Sequence, residues 1–507
     1  MTAYKIRLSG LWSGLTLATV VGAITPLAFS PFDLWLLMPA SLAVLFRLLD
    51  HQPPTRAALY GLGYGIGFYG TGVSWVYVSI HQFGGAGTPL AVVLTGLFVL
   101  ALAAVFQAPL AWVYARLAHG QGNGKKVLLF SGLWVLADYW RSQFLTGFPW
   151  LYAGYTLLDT PWAGLAPVTG VHGLTLLLTL IATSLAALMR EPGRTRLAAT
   201  AVISAALCAV ASLSDRHWTT PADTAPLSFA AVQGNIPQSI KWSPGFLGYT
   251  VQHYKALSAP HWDRDIVLWP ENAIPSPAQR QARLTRQLQQ QASTTRTALI
   301  LGMPWQEQQR YYNALVGLGA ADGHYLKQKL VPFGEFVPFS SWLRGLIAFF
   351  DLPMSSFASG PAEQPGLKIQ GQPVATFICY EIVYPEFVAR QSKDTGFILT
   401  VSNDTWFGRS TGPAQHLQMV RMRSLETGRY QLRTTNDGLT ALIGPRGQLL
   451  NSARPWRSEV MTGHIKTMVG NTPFMQTGSW PSLLTAALMV VTGRMKKRRK
   501  TGKRRTS

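Results

Sequence analysis

Seven apolar runs of near-bilayer length fill the first 215 residues, and they constrain the fold more than any other feature. Crossing the hydrocarbon core takes about 20 apolar residues in a helix, which satisfies its own backbone hydrogen bonds. The runs predict membrane helices at 9–28, 32–49, 58–80, 88–115, 126–143, 162–189 and 195–214. With 48% hydrophobic and only 13% charged residues, the chain is too apolar for an ordinary soluble enzyme.

Lysine and arginine collect on alternate loops of this region, and this pattern predicts its orientation. Cytoplasmic loops carry more positive charge than outer ones. Basic residues precede the first run and follow the second, fourth and sixth, whereas the loops after the first and third runs have none. Arg141, near the end of the fifth run, is the exception. We therefore predict a membrane domain over 1–215 with a cytoplasmic N-terminus, and an outer location for the residues that follow.

The sequence changes character at about residue 216. Short apolar strands, turns and polar helices predict a globular domain over 216–470. An eighth apolar run, 471–493, returns the chain across the membrane, and the tail 494–507 has nine basic residues and no acidic one. A cytoplasmic tail agrees with the charge of the loops. Nucleic-acid binding is a poorer explanation, because no aromatic interleaving or binding fold accompanies the tail.

Three segments of the outer domain share one pattern, a buried strand that ends in a residue capable of chemistry. One ends in Glu271, a second supplies Lys327 and then Glu335, and the third ends in Cys379. Acyl transfer through a thiol needs a base for its proton and a cation for the developing oxyanion. Singly, Cys379 reads as a buried hydrophobe, Glu271 as a strand-end cap and Lys327 as a solvated charge. Jointly they favour a catalytic site.

The cysteine and histidine counts limit the alternatives. Two cysteines, Cys208 in an apolar run and Cys379, exclude a disulfide-built fold and a multi-cysteine metal site. An unpaired thiol on the oxidising side of a membrane favours a reactive role. His416 is an alternative base, although a structural histidine is the commoner case. Three other histidines lack metal-ligand spacing, and we predict no metal and no cofactor: His253, His261 and His324.

The motifs around these residues resemble a known superfamily. Trp-Pro-Glu at 269–271, Lys-x-x-Leu-Val-Pro-Phe-Gly-Glu at 327–335 and Cys-Tyr-Glu at 379–381 resemble the nitrilase superfamily with its Glu-Lys-Cys triad. Seven spans before the domain and one after it narrow the resemblance to the bacterial apolipoprotein N-acyltransferase family. Matching stretches at 147–151, 232–238, 401–408 and 415–419 extend it over nearly the whole chain. The resemblance implies an extracytoplasmic αββα sandwich attached to about eight membrane helices.

The resemblance also implies a two-step reaction at the outer face of the bacterial cytoplasmic membrane. The thiol takes the sn-1 acyl chain of a phospholipid as a thioester and gives it to the α-amine of a lipoprotein's diacylglyceryl-modified N-terminal cysteine. Glu271 is then the base, Lys327 the oxyanion stabiliser and Cys379 the nucleophile. We expect supporting or substrate-binding roles at six further positions: Trp242, Asn313, Glu335, Arg344, Tyr380 and Glu381. Lys329 stands where histidine is common in the family and adds a second cation.

Two features leave alternatives open. The apolar segment 341–354 is too interrupted to span a bilayer and is either an interfacial or lid element or an ordinary core helix. A triad alone does not separate acyl transfer from a membrane-bound amidase that uses water, and a non-enzymatic transporter or scaffold is the other alternative. Asp138 and Arg141 are the intramembrane charges a transporter would need. We expect phospholipid and apolipoprotein partners, no nucleic acid, and a monomer.

Overall fold

The computed structural model describes residues 10–189, 200–336 and 356–495, apart from positions 202, 206 and 209. Most of the predicted N-terminal spans are helices, with bounds shifted by a few residues. They are Leu11–Ile24, Leu37–Leu49, Pro54–Gly72, Thr88–Leu102, Ala108–Ala118, Asn123–Gln143 and Ala166–Leu188. A π-helical turn, Ala103–Gln107, joins the fourth and fifth of these into one continuous span. The predicted run 195–214 overlaps residues outside the described ranges, so its bounds stay a prediction.

Length and apolarity separate these helices into two groups. Within the described ranges, three helical stretches have both the length and the apolarity to cross a membrane: Leu11–Ala28, Thr88–Ala118 and Pro161–Leu188. Leu37–Leu49 is apolar but shorter. The helix Asn123–Gln143 is long but includes buried charges, among them Lys126, whose Nζ lies 2.6 Å from Asp50 Oδ1. At the C-terminal end, Pro473–Thr477 precedes the apolar helix Trp480–Arg494.

The outer domain is built on two sheets. Its strands are β1 Thr220–Pro221, β2 Leu227–Gln233, β3 Ile266–Leu268, β4 Ala298–Glu307, β5 Arg310–Gly319, β6 Ala321–Asp322, β7 His324–Leu326, β8 Leu367–Ile369, β9 Gln372–Ile378, β10 Ile398–Ser402, β11 Gln431–Thr435, β12 Ala441–Ile443, β13 Leu449–Ser452, β14 Glu459–Ile465 and β15 Met468–Val469. One sheet has the order β14-β2-β3-β4-β5-β7 and the other β13-β12-β11-β10-β9-β8-β6, while β1 pairs with β15. In each sheet the central strands are parallel: β2, β3 and β4 in the first, β9, β10 and β11 in the second.

Alternation along the strands shows how the layers stack. Phe229 of β2 and Ile378 of β9 belong to one buried cluster between the two sheets. The neighbouring Ala230 packs with residues of the helices Leu247–Ser258 and Ala282–Thr295. Phe377 packs on the other side, with the helices Pro385–Gln391 and Gly412–Thr427. Because successive strand residues point to opposite faces, the result is the αββα sandwich expected from the sequence.

The sandwich rests directly on the membrane helices. The Ala166–Leu188 helix is interrupted at Gly170, whose φ is 67°. The backbone N–H of Val171, freed by this break, donates to Glu426 Oε1 of the helix Gly412–Thr427 at 2.8 Å. Trp150 Nε1 donates to Gln415 Oε1 of the same helix at 2.7 Å. A carboxylate at the start of a helical segment is a favourable partner for its free N–H groups, so the two parts are joined by buried polar contacts.

Candidate active site

The three residues with predicted catalytic roles lie just beyond strand ends. Cys379 follows β9 directly, Lys327 follows β7 directly, and Glu271 comes shortly after β3. The fold brings them together, since Glu381 accepts from the backbone of both Ile378 and Gln328, the neighbours of Cys379 and Lys327, and Lys327 Nζ lies 3.4 Å from Glu271 Oε1. Short apolar runs that end in polar residues predicted each position. The proximity depends on the pairing of strands that are far apart in sequence.

The backbone at Cys379 is in the left-handed region, with a φ of 53°. Residues other than glycine seldom adopt this conformation, which costs of order 1–3 kcal/mol and persists only where surrounding contacts enforce it. The chain turns there from β9 into the short helix Cys379–Val383. This is the sharp strand-to-helix turn that holds a nucleophile at the end of a sheet.

Glu381 is the contact that enforces this turn. Its Oε1 accepts hydrogen bonds from the Tyr325 hydroxyl at 2.9 Å and from the backbone N–H groups of Gln328 at 2.6 Å and Lys329 at 3.1 Å. Its Oε2 accepts from the Ile378 N–H at 2.8 Å. Burial raises the pKa of Glu381 to about 7, against the lowering effect of the backbone donors. The side chain links the turn at the cysteine to the segment that begins at Lys327.

Lys327 is fully buried between two carboxylates. Its Nζ lies 2.8 Å from Glu335 Oε2 and 3.4 Å from Glu271 Oε1. Burial lowers the pKa of Lys327, but its neighbours, chiefly the charges of Glu335 and Glu271, outweigh this effect, so the pKa is raised overall. The lysine is therefore a permanent cation. This contradicts the reading of Lys327 as a solvated surface charge.

The Glu271 carboxylate accepts hydrogen bonds from three directions. Asn313 Nδ2 donates to Oε1 at 2.7 Å, Lys327 Nζ reaches the same oxygen, and the backbone N–H of Asn403 donates to Oε2 at 2.8 Å. Asn313 also donates to Glu335 Oε1 at 2.8 Å. One amide therefore bridges the two carboxylates that flank the lysine. Asn313 and Glu335, two of the six positions expected to support the site, belong to this network.

The cysteine itself rests as a thiol. Burial raises the pKa of Cys379, and the negative charges of Glu271 and Asp404 add to the rise. The Lys327 cation and a hydrogen bond with Ser402 lower it without cancelling the effect. Because only the thiolate is a strong nucleophile, attack requires that a neighbouring group take the proton as the new bond forms.

Two tyrosines connect this turn to a loop of the membrane part. The Tyr380 hydroxyl donates to the Gly147 carbonyl at 2.9 Å, and the Tyr384 hydroxyl donates to the Thr146 carbonyl at 2.7 Å. The loop 144–150 follows the helix Asn123–Gln143. Cys379 therefore lies one residue from a direct hydrogen bond to the membrane part.

The remaining expected positions lie in different surroundings. Trp242 is half-buried after the short helix Gln238–Lys241, and its buried indole N–H has no hydrogen-bond partner among the described residues. Lys329 is exposed, with its Nζ 5.5 Å from the centre of the Tyr384 ring. Arg344 and the apolar segment 341–354 lie outside the described residues.

A second polar group lies behind the cysteine, and His416 is the one member of it that was singled out from the sequence. The Ser402 hydroxyl donates to Asp404 Oδ1 at 2.7 Å, and Arg433 lies 2.6 Å from Asp404 Oδ2. Burial would raise the pKa of Asp404, but Arg433 and the other donors hold it well below its usual range. The same pattern that indicated Glu271, Lys327 and Cys379 was available here, since β10 is also a buried strand that ends in polar residues. Asn403, which contacts Glu271, belongs to the same strand end.

His416 belongs to this second group. Its Nδ1 lies 3.2 Å from Asp404 Oδ1, and the ring is buried. Burial and the Arg433 charge lower the pKa of His416, against the opposing effect of Asp404. A neutral, enclosed imidazole held by a carboxylate fits the structural role better than that of a base. No group of three potential metal ligands from His, Cys, Asp and Glu occurs among the described residues.

Paired sheets with a glutamate, a lysine and a cysteine at their strand ends define an enzyme of the carbon–nitrogen hydrolase, or nitrilase, class. The carbon–nitrogen hydrolase family model matches residues 228–474. Residues 21–184 match the model of the apolipoprotein N-acyltransferase N-terminal domain. A solved CN-hydrolase superfamily protein from Xanthomonas campestris aligns with 52% of this chain and 97% of its own, at 18% identity and a TM-score of 0.38.

Full-length relatives narrow the class. The chain is 45% identical over 492 residues to apolipoprotein N-acyltransferase of Azotobacter vinelandii, covering 94% of each chain. It is 44% identical over 486 residues to that of Pseudomonas putida, covering 94% of this chain and 96% of the relative. For Vibrio vulnificus the identity is 38% over 494 residues, covering 95% and 97%. The chain belongs to the apolipoprotein N-acyltransferase family. Membership in this family of enzymes removes the transporter and scaffold alternatives.

Proposed function

We propose that this protein transfers an acyl chain from a phospholipid, through a thioester on Cys379, to the N-terminal α-amine of diacylglyceryl-modified apolipoproteins. The observation that carries the proposal is the buried Lys327, held between Glu271 and Glu335 with its charge acting on the cysteine sulfur. This arrangement supplies a base, a permanent cation and a nucleophile within one enclosed network.

In the first step, Glu271 accepts the thiol proton as the Cys379 sulfur attacks the carbonyl carbon of the sn-1 ester. The carbonyl oxygen gains the negative charge, which Lys327 stabilises more strongly in a buried site than it would in water. The carbon–oxygen bond of the ester then breaks. The departing lysophospholipid oxygen takes the proton back from Glu271, which leaves a thioester on the enzyme.

In the second step, the α-amine of the apolipoprotein attacks the thioester carbon. Glu271 accepts a proton from the amine, and Lys327 again stabilises the oxyanion. The carbon–sulfur bond breaks, and the cysteine sulfur recovers the proton. The products are an N-acylated lipoprotein and the free thiol of Cys379. Each step therefore uses the same base and the same cation in the same positions.

The other polar residues serve this centre without taking part in bond changes. Asn313 and Glu335 orient the base and the lysine, as their contacts at 2.7 to 2.8 Å support. Tyr380 and Glu381 hold the turn at the nucleophile. Two further residues, Trp242 and Arg344, are proposed as substrate contacts on the family resemblance.

A nitrilase-type amidase that gives its acyl group to water is the second candidate, because both reactions use the same thioester. The hydrogen bonds from Tyr380 and Tyr384 to the membrane loop favour lipid chemistry. An enzyme with a water-soluble substrate needs only a tether to the membrane, whereas here the membrane part contacts the turn that carries the nucleophile.

The proposed topology follows the charge pattern and the apolar helices. Eight crossings, seven within 1–215 and one within 471–493, place the domain 216–470 on the periplasmic side of the bacterial inner membrane. The N-terminus and the tail 494–507 are cytoplasmic, and the protein acts as a monomer. Three of the crossings are supported by helices of sufficient length and apolarity within the described residues.

The test is direct. Purified protein is incubated with phospholipid labelled in the sn-1 chain, and the protein is assayed for a label that hydroxylamine releases. The expected result is one adduct per chain, discharged by a synthetic diacylated lipopeptide. A Cys379→Ala variant that still forms the adduct contradicts the mechanism, and loss of label to water with none in the lipopeptide supports the amidase. Cys208→Ser, the matched control, keeps full labelling.

A further inference from the structure

Lys241 is a buried cation beside the active site that the two-step reaction does not use. It ends the short helix Gln238–Lys241 and is 1% exposed. An ammonium group removed from water is unfavourable unless anionic or polar partners compensate for the lost hydration. Its location next to a catalytic residue therefore calls for a functional explanation.

The contacts of this short helix converge on Glu271. Lys241 Nζ donates to the backbone carbonyl of Glu271 at 3.1 Å. At the other end of the helix, Gln238 Oε1 accepts from Asn403 Nδ2 at 2.9 Å. The backbone N–H of Asn403 in turn donates to Glu271 Oε2. One helical turn thus contacts the main chain of the base directly and its carboxylate through a single intermediate.

Strand β4 packs closely against the main chain at Glu271. A Cβ atom at Gly302 would overlap the Pro270 carbonyl and come within 2.8 Å of the Glu271 Cα. Only glycine permits this close approach. The backbone of the base is therefore packed on β4 as well as bonded to Lys241, which leaves its carboxylate little freedom to move away from the sulfur.

The charges that act on Lys241 are Glu271 and Asp437. Asp437 Oδ2 accepts from the Thr405 hydroxyl at 2.7 Å. Two other charged groups lie near the base. Lys327 contacts the Glu271 carboxylate directly, and Glu335 is linked to it through Asn313. Burial lowers the pKa of Lys241 to about 8, and the two carboxylates oppose this change. At neutral pH the side chain is still mainly a cation.

We propose that Lys241 is a positioning residue for the base, fixing the Glu271 backbone and favouring the ionised form of its carboxylate. The inference rests on the proposed role of Glu271 and adds the group that controls it. When Glu271 takes the thiol proton its charge disappears while that of Lys241 remains. The lysine therefore opposes retention of the proton and promotes its delivery to the leaving group.

The experiment measures the single-turnover rate of thioester formation from mildly acidic to mildly alkaline pH. Loss of the cation in Lys241→Met should move the acid limb of the profile upward by about one pH unit, the usual effect of one nearby opposite charge. Below the limb the rate then falls about tenfold. Lys241→Arg keeps the charge and should keep the limb in place. Lys368→Met, which removes an exposed lysine of β8, is the control.

A Lys241→Met enzyme whose acid limb does not move overturns the proposal, whether its rate is full or uniformly reduced, because a purely structural lysine gives that result. Gln238→Leu provides the second test and covers the case in which Lys241→Met does not fold. It keeps the lysine charge, so the rate should fall with no shift of the limb, and an unchanged rate overturns the positioning role. If wild-type protein forms no Cys379 adduct, the proposed function fails instead.

Discussion

Two buried cations, one in each part of the molecule, are used in opposite ways. Arg141, at the end of the membrane helix Asn123–Gln143, pairs with Asp138 Oδ1 at 2.7 Å and donates to the backbone carbonyls of Phe148 and Trp150. Lys327 lies in the outer domain. Among the described residues, its ammonium group pairs with the side-chain carboxylates of Glu271 and Glu335. Both cations are 1% exposed or less.

The difference follows from the chemistry of the two side chains. A guanidinium has five donors in a rigid plane and can hold several carbonyls at fixed angles, whereas an ammonium is a compact point charge. Arg141 thus holds the loop 144–150 through two of its backbone carbonyls. The positive charge of Lys327 also acts on a third group, the Cys379 sulfur. Burial of a charge alone therefore does not identify a catalytic residue.

The largest effect is expected from Lys327→Met. Removal of the cation leaves the oxyanion without its stabilising charge, and thioester formation should fall by about a hundredfold to a thousandfold. Lys327→Arg should not restore the rate, because the larger planar guanidinium would have to replace a compact ammonium that is fully buried. The adduct assay measures both, with exposed Lys393→Met as the control. If Lys327→Met were labelled almost as well as wild type, the proposed catalytic role of Lys327 would be refuted.

Arg141→Met should instead affect stability. Breaking a buried ion pair by removing one partner costs about 3–5 kcal/mol, because the other charge stays buried and unpaired. Thermal unfolding in detergent should therefore occur at a lower temperature. The double variant Asp138→Asn/Arg141→Met should recover part of the loss. A variant that melts like wild type but forms no thioester would place Arg141 among the catalytic groups.

A smaller effect is expected from Glu271→Gln, and its direction is informative. The Glu271 charge raises the pKa of Cys379, so its removal lowers that pKa and increases the thiolate at a given pH. Iodoacetamide should then alkylate the sulfur faster, with the rate profile shifted to lower pH by about one unit. The assay uses a Cys208→Ser background. Slower alkylation would contradict this balance of charges at the sulfur.

The smallest effect concerns the link between the two parts. Tyr380→Phe removes one hydrogen bond to the Gly147 carbonyl, which is worth about 1 kcal/mol. Tyr384→Phe removes the parallel bond to Thr146. A double-mutant cycle on the thioester rate separates positioning from stability, because residues that hold one loop should be coupled. Additive effects with an unchanged rate would mean that the loop does not align the nucleophile.

Local sequence indicated the residues of the candidate site, whereas the structure around them depends on contacts over longer distances. Glu271, Lys327 and Cys379 were each found as a polar residue that ends an apolar run, which is a property of a few neighbouring residues. The αββα fold followed from the family resemblance. The predicted spans over 9–189 are mostly helices, yet only three stretches of the described chain combine the length and apolarity of a crossing.

What the sequence did not reveal depends on contacts between distant segments. Lys241 reads as an ordinary lysine at the end of a short helix, and only the packing of that helix against the loop after β3 gives it a role. The backbone N–H of Asn403 is invisible in any motif, since every residue but proline has one. From the sequence, Arg141 is a charge within a membrane helix of the kind that a transporter would need. Its partners are backbone carbonyls on the loop 144–150, whose path cannot be read from the sequence.

The tyrosine bonds to the carbonyls of Thr146 and Gly147 join the turn at Cys379 to the loop that follows a membrane helix. In the proposed reaction, these bonds would hold the sulfur at one level relative to the lipid. Phospholipids already present their ester carbonyls in a thin layer below the head groups. For the proposed reaction, the bilayer therefore supplies much of the alignment that a soluble amidase must obtain from its own side chains.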